Sequence, residues 1–188
     1  MIEKIPYLKE LGVNQIQCMP IYEFDECAKT KINYWGYGPS YLYAVKTAYA
    51  SRETMSAEGE FKTLVKELHK AGIECIPEMY FTGKELPGEI LSVLRYWVEE
   101  YHVDGFHLTG FPDLSLAAED PFLKRTKLFA ENWNDVMNRR PKQGYVTLGD
   151  GAVSVEEKNL AEYNMQFMED MRRFLKGDEG MLSAFELR

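Results

Sequence analysis

The 188 residues include 22 lysines and arginines against 30 aspartates and glutamates, a net charge of -8. Such a balance repels nucleic-acid phosphates and anionic membranes, so we expect neither as a partner and favour a neutral ligand. Cys18, Cys27 and Cys75 are odd in number and form no Cys-x-x-Cys pattern, which argues against a disulfide framework or a zinc site. No metal-binding cluster or phosphate loop appears in the sequence, so we predict neither metal nor cofactor.

The sequence offers no segment as long as a membrane-spanning helix. Its first residues carry charges where a signal peptide has an apolar run. These features predict a cytoplasmic location. The length is also short of the roughly 250 residues of a complete (β/α)8 barrel, so a fragment is the first expectation.

Helices and strands alternate along the first half of the chain. Apolar residues at helical spacing predict a helix over residues 2–11 and another over 61–71, ending at Gly12 and Gly72. Each helix precedes an apolar, β-compatible segment, at 13–21 and 73–81, that we expect a proline to close. Short links between helix and strand predict parallel strands joined by right-handed crossovers.

The second half repeats this alternation. A helix with an apolar face over residues 90–101 leads to a strand that starts at Val103 and ends at Thr109-Gly110. Residues 126–133 and 160–164 read as further short strands. A helix then follows and is capped near Gly177.

Residues 22–59 form a long connection rich in aromatic side chains. Two interpretations of these rings remain open: they bind the faces of sugars, or they cover the core. The rings belong to Tyr34, Trp35, Tyr37, Tyr41, Tyr43 and Tyr49.

The segment Val103-Asp-Gly-Phe-His-Leu-Thr109 resembles the fourth strand of glycoside hydrolase family 13, the α-amylase family, and especially its pullulanase and isoamylase branches. In that family the pattern runs Val-Asp-Gly-Phe-Arg-Phe-Asp, and the last Asp is the nucleophile. Here His107 stands at the Arg position and Thr109 at the nucleophile position. The resemblance gives Asp104 a turn-shaping role, and it gives Glu78, at the end of the preceding strand, a structural one.

Two further motifs support the same family. The segment from Thr126 to Trp133 resembles the family's Leu-Ala-Glu-x-Trp motif, which implies that Glu131 is the general acid/base. The segment from Asn33 to Pro39 resembles its Asn-Trp-Gly-Tyr-x-Pro loop, which implies that Tyr37 stacks on the sugar beside the scissile bond. Trp35 and Trp133 are further candidates for sugar contact.

The resemblance implies a TIM-type (β/α) barrel in which residues 1–188 form a single partial domain with about strands two to six of eight. It implies an α-glucan or a maltooligosaccharide as ligand. We expect hydrolysis to be impaired, because a threonine hydroxyl cannot balance an oxocarbenium charge as a carboxylate does. The alternatives are an active hydrolase within a longer protein, where Glu131 works with another carboxylate, and a non-catalytic structural or interaction domain.

An incomplete barrel exposes the inner face of its sheet and two strand edges. We expect that face to carry residues such as Ile16, Cys18 or Phe106, depending on register. A two-fold dimer that buries this face, a C-terminal helix folded across it, or the missing parts of a longer chain would cover it.

Overall fold

A computed structural model shows helices and strands in alternation. It describes residues 1–27, 32–51, 56–110, 112–114, 116–130 and 159–178. The helices are α1 (Ile5–Glu10), α2 (Ala57–Lys70), α3 (Pro87–Tyr101) and α4 (Met165–Lys176). The strands are β1 (Gln15–Cys18), β2 (Tyr22–Phe24), β3 (Ser40–Val45), β4 (Glu74–Phe81), β5 (Gly105–Gly110), β6 (Lys127–Ala130) and β7 (Leu160–Glu162). Within the described ranges, no helix is both long and apolar enough to cross a bilayer.

Five of these strands form one parallel sheet in the order β1-β4-β5-β6-β7. Helices α2 and α3 lie between successive strands of the sheet along the chain, as in β/α crossovers. This arrangement confirms the predicted α/β class and the predicted partial parallel barrel.

One face of the sheet packs against the helices. Residues paired in register share a face, and alternate residues of a strand point to opposite faces. The helix-packed face therefore presents Ile16, Met79, Phe81, Phe106, Leu108 and Leu128, which are buried in one core cluster with helix residues such as Leu68 and Trp97. This apolar layer is the core that holds the helices on the sheet.

The opposite face, called the inner face below, carries a more polar set of side chains. By register they are Gln15, Gln17, Ile76, Glu78, Tyr80, His107, Thr109 and Phe129. The prediction that Ile16, Cys18 or Phe106 lies on the inner face is wrong. These apolar side chains lie on the helix-packed face, because the helices need an apolar surface to pack on.

Tyr163, one residue beyond β7, covers part of the inner face. Its ring centroid lies 4.7 Å from that of His107. Its hydroxyl donates a hydrogen bond of 2.6 Å to Oε1 of Gln17 on β1. The sheet therefore curls enough for its first and last strands to be joined across the inner face. Part of the surface that motivated the predicted dimer is covered by the chain itself, and the dimer stays a prediction without support.

The aromatic connection contains a second, two-stranded antiparallel sheet of β2 and β3, where we had predicted only a loop. Lys46 is buried and donates hydrogen bonds of 2.7 Å each to Glu23 Oε1 and to the carbonyl of Phe24. The indole of Trp97 on α3 donates to the carbonyl of Leu42 on β3 at 2.6 Å. The two strands lie too far apart in sequence to give the signal of a tight hairpin turn.

Pro77 lies inside β4 and does not close the strand as we had predicted. Pairing of β4 with β1 ends at Cys18 and Pro77, and pairing with β5 runs from Glu78 and His107 onward. The proline thus falls where the strand changes partners, so it does not interrupt a continuous ladder.

The turn before β5 joins three strands. His102 ends α3 in the left-handed region with φ 56°. Asp104 then accepts hydrogen bonds on Oδ2 from the Cys75 amide and from His69 Nε2, both at 2.8 Å. Its own amide donates to the Cys75 carbonyl, and its carbonyl accepts from the Lys127 amide. These bonds confirm the turn-shaping role predicted for Asp104.

We predict that Gly105→Ala destabilises the fold. An added Cβ would lie 2.4 Å from the Lys127 carbonyl oxygen, so β5 and β6 would have to separate. The expected loss in the free energy of unfolding is about 2 kcal/mol or more, measured by urea denaturation. Gly88→Ala on α3 is the matched control, since nothing lies within 4 Å of its added Cβ. It should be neutral or stabilise by up to about 1 kcal/mol; equal losses in the two variants would contradict the prediction.

We also predict that Glu23 makes stability depend on pH in the acid range. Burial raises its pKa, but hydrogen bonds from Lys46 and Thr47 outweigh this effect and lower the pKa to about 2. A carboxylate with a pKa below its unfolded value of about 4.3 stabilises the fold fully above that value, and less as pH falls toward 2. Glu23→Gln should therefore be less stable than wild type at pH 7. That gap in unfolding free energy should shrink between roughly pH 4.5 and pH 2; a constant gap would argue against the ion pair.

Candidate functional site

The inner face reaches the C-terminal edge of the sheet in two successive layers of side chains. The lower layer holds Glu78, His107 and Phe129, which are paired in register. The upper layer holds Tyr80 and Thr109, which are also register partners. Barrels of this type carry their chemistry at the C-terminal ends of the strands, so the upper layer is the candidate site.

Thr109, at the predicted nucleophile position, is buried, with only 5% of its surface exposed. Its hydroxyl donates a hydrogen bond of 3.3 Å to Oε1 of Glu78. Retaining glycosidases attack the anomeric carbon with a carboxylate, and a threonine hydroxyl is not an equivalent group. The contact with Glu78 therefore holds the two side chains together and does not restore the missing nucleophile.

Glu78, to which the resemblance gave a structural role, lies beside Thr109 in the site. Only 7% of it is exposed, and its Oε2 lies 3.9 Å from Nδ1 of His107, beyond hydrogen-bond distance. It lies one layer below the strand ends, where the Thr109 hydroxyl offsets part of the cost of burying its charge. Since residues 78 and 80 share a face with Thr109, the period-two pattern of β4 was the signal that could have placed it here.

An aromatic pair forms the rim of the site. The ring of Tyr37 stacks on that of Tyr80, with centroids 5.0 Å apart and planes inclined by 29°. Tyr37 keeps 42% of its surface exposed. Because Tyr80 pairs with Thr109 in register, the Tyr37 ring that stacks on it lies at the C-terminal edge of the sheet. Its sugar-binding role stays a prediction.

The loop before Tyr37 is fixed by its own hydrogen bonds. Oδ1 of Asn33 accepts from the Gly36 amide at 3.0 Å, and Nδ2 donates to the Tyr37 carbonyl at 3.2 Å. Gly36 has φ 80°, and a Cβ at this position would lie 2.8 Å from Cβ of Pro20. Both the backbone conformation and the close packing therefore require glycine here.

The rings of the aromatic connection lie on the surface. The six side chains, including Trp35, are between 42% and 74% exposed. Tyr49 packs against Phe24 and Tyr43 against Tyr96, so some of the rings also cover part of the core. Trp35 lies on the same loop as Tyr37, with 61% of its surface exposed. It is accessible to a ligand, and its predicted role in sugar contact stays a prediction.

The predicted acid/base Glu131 and its neighbour Trp133 lie outside the described residues, directly after the end of β6 at Ala130. Their roles stay predictions. Within the described ranges, no group of three His, Cys, Asp or Glu side chains could hold a metal ion. The expected absence of a cofactor also stays a prediction.

The curled parallel sheet, the helices on one face and the aromatic rim at the strand ends define an α/β protein of the TIM-barrel type. Solved structures share this fold. The catalytic module of the multi-modular glycogen-degrading pneumococcal virulence factor SpuA matches with a TM-score of 0.64 and 18% identity, over 95% of this chain and 32% of that one. Pullulanase type I from Bacillus subtilis, complexed with maltose, matches with a TM-score of 0.62 and 22% identity, over 87% of this chain and 30% of that one.

Curated sequences point to one group of enzymes. Isoamylase 3, chloroplastic, of Oryza sativa is 30% identical over 267 positions, covering 100% of this chain and 32% of the relative. A glycogen operon protein GlgX homolog of Haemophilus influenzae is 30% identical over 246 positions, covering 98% and 35%. No family model matches the chain. The chain is a relative of the debranching enzymes of glycoside hydrolase family 13, which confirms the resemblance seen in its motifs.

The extent of the match is limited. The chain spans about a third of the length of these curated relatives. The 267 aligned positions also exceed the 188 residues of the chain, so the rice isoamylase has additional residues within the matched region. The similarity therefore covers the chain from end to end, with segments of the relative that have no counterpart here.

We predict that the Thr109 hydroxyl stabilises the buried Glu78 carboxylate. Thr109→Val should lower the free energy of unfolding by about 1–3 kcal/mol, because Glu78 loses a donor. The same substitution in a Glu78→Gln background should lower it by less, since a neutral acceptor is less costly to leave unpaired. Urea denaturation of the four proteins measures this coupling. Identical losses in both backgrounds would show that the two side chains do not interact.

Proposed function

We propose that residues 1–188 act as a partial barrel domain that binds an α-glucan and does not hydrolyse it. The glucan binds on the stacked rings of Tyr37 and Tyr80, which we call the Tyr37 platform. The observation that carries this proposal is the stacked Tyr37–Tyr80 pair at the strand ends, beside a threonine where the family has its nucleophile. The proposal concerns residues 1–188, which span about a third of the length of the curated relatives.

Binding is supported by the shape and chemistry of the rim. Tyr37 is held from below by Tyr80 and keeps part of its surface in solvent. A flat, half-exposed ring suits the C–H face of a glucose unit, and the phenol hydroxyl can hydrogen-bond to sugar hydroxyls. Trp35 extends the exposed aromatic surface on the same loop. The net charge of -8 fits a neutral ligand such as a maltooligosaccharide.

The loss of hydrolysis follows from the reacting groups. Retaining glycosidases need two carboxyl groups about 5–5.5 Å apart, one of which attacks the anomeric carbon. Thr109 has no carboxylate to attack with, and Glu78 is buried one layer below the strand ends. Removing the nucleophile of a well-studied hydrolase lowers turnover by on the order of 10⁶. Glu131 alone would therefore give no measurable hydrolysis.

A second candidate is an active hydrolase in a longer protein, and one observation favours it. The relatives named above are about three times as long as the region that they share with this chain, so a further carboxylate could come from outside it. In that protein Glu131 would protonate the leaving oxygen and the second carboxylate would be the nucleophile.

The binding proposal is tested with maltohexaose by isothermal titration calorimetry. Tyr37→Ala should weaken the affinity by on the order of tenfold, because it removes the exposed ring. Tyr7→Ala on α1 is the matched control, since it removes a tyrosine that is 56% exposed on another element. Loss of affinity in both variants, or in neither, would contradict a specific platform; absence of any binding by wild type would favour a purely structural domain.

The second candidate is tested on the full-length protein, by the release of reducing ends from pullulan, amylopectin and glycogen. The proposal expects the full-length protein and its Glu131→Gln variant to give the same background. Turnover by the wild-type full-length protein that Glu131→Gln abolishes would replace the proposal with a hydrolase.

A further inference from the structure

We propose that the buried hydroxyl of Tyr22 positions the aromatic platform for its ligand, by tying the Tyr37 loop to the strand that carries Tyr80. This inference rests on the proposed function, because a positioning role matters only if the platform binds a glucan. Tyr22 does not touch the exposed face of Tyr37; its effect is on where the two platform rings lie.

Tyr22 is the first residue of β2 and is completely buried, at 0% exposure. Its hydroxyl donates a hydrogen bond of 3.1 Å to the carbonyl oxygen of Gly36. The same hydroxyl accepts one of 3.3 Å from the amide of Tyr80. Burial raises the pKa of Tyr22, so the phenol stays neutral and keeps the proton that it donates to Gly36.

The Tyr80 amide needs this partner because β1 is too short to supply one. Backbone amides of alternate strand residues point to the same side. The Glu74 amide donates to the Asn14 carbonyl just before β1, so the Tyr80 amide points to the β1 side as well. Pairing with β1 stops at Cys18 and Pro77, three residues before Tyr80. The Tyr22 hydroxyl thus accepts the hydrogen bond of the Tyr80 amide at a position that β1 does not reach.

The Gly36 carbonyl is held in place from the other side. Gly36 is buried and packs against Pro20 and Phe24, with its amide bonded to Asn33. Tyr37 is the next residue. The Tyr22 hydroxyl is therefore bonded to Gly36, the residue before Tyr37, and to the backbone of Tyr80, on whose ring Tyr37 stacks.

Preorganising two rings in the geometry that a ligand requires raises affinity, because no ordering has to occur on binding. Without the Tyr22 hydroxyl, the buried Gly36 carbonyl and the half-buried Tyr80 amide each lose a partner. The loop and the strand end then shift to find other partners, and the stacking of Tyr37 on Tyr80 is disturbed. The first effect is on the free protein, and weaker binding is its consequence.

The test compares Tyr22→Phe with Tyr101→Phe. Tyr101 is a buried tyrosine, 2% exposed, on α3, where it packs against Trp97. Two quantities are measured: the ring-current shift of the Tyr37 ring protons by NMR in the free protein, and the affinity for maltohexaose. We expect Tyr22→Phe to reduce the ring-current shift and to weaken binding by about tenfold. Tyr101→Phe should change neither, even if it destabilises the fold equally.

The two proposals fail in different ways. A wild-type chain that binds no maltohexaose ends the proposed function and, with it, a functional role for Tyr22, whatever the ring shift shows. A wild-type chain that binds, with a Tyr22→Phe variant of unchanged ring shift or unchanged affinity, overturns the positioning role alone. If Tyr22→Phe does not fold, hydrogen exchange of the Tyr80 amide in wild type decides: protection like that of the β4 ladder supports the bond to Tyr22, and rapid exchange overturns it.

Discussion

Asp104 holds three parallel strands in register through its backbone and its carboxylate. The carboxylate and the amide both bond to Cys75 at the start of β4, and the carbonyl bonds to Lys127 at the start of β6. Gly105, the next residue, lets β5 and β6 approach closely, since a Cβ would lie 2.4 Å from the Lys127 carbonyl oxygen. A shift of one residue in this register would exchange the two faces of β5 and place Phe106 and Leu108 on the inner face.

The positions of the strand residues in the candidate site follow from that register. It puts Glu78 beside His107 and Tyr80 beside Thr109, so the polar pair lies one layer below the aromatic rim. In the lower layer Glu78 is buried and bonded to Thr109 of the upper layer, which suits a structural role. The upper layer combines the Thr109 hydroxyl with a ring that supports Tyr37. The arrangement leaves the Tyr37 ring half-exposed and lacks, among these described residues, a carboxylate at the strand ends.

Much of the fold could be predicted because its signals are local. The apolar spacing and the glycine caps predicted the helices, and the short links predicted parallel strands. The motifs around Thr109 and Tyr37 indicated the family. What could not be predicted depends on partners far away in sequence. The sheet of β2 and β3 needs Lys46 to meet Glu23, and the bond from Tyr163 to Gln17 spans nearly the whole chain.

The face assignment was wrong for a different reason. Ile16, Cys18 and Phe106 are apolar, and a barrel interior and a helix-packed face both accept apolar side chains. Only the pairing of β1 with β4 and of β5 with β6 shows which of the two they occupy. The bond between Glu78 and Thr109 was not predicted, because it depends on the register of two strands more than thirty positions apart in sequence.

We propose that a glucan is held on the Tyr37–Tyr80 platform at the C-terminal edge of the sheet. Intermolecular NOEs between maltohexaose and the tyrosine ring protons of the chain test this binding mode most directly. We expect NOEs from sugar C–H protons to the Tyr37 ring and none to Tyr41, which is 74% exposed on β3. NOEs confined to the tyrosines of β3, with none to Tyr37, would contradict it.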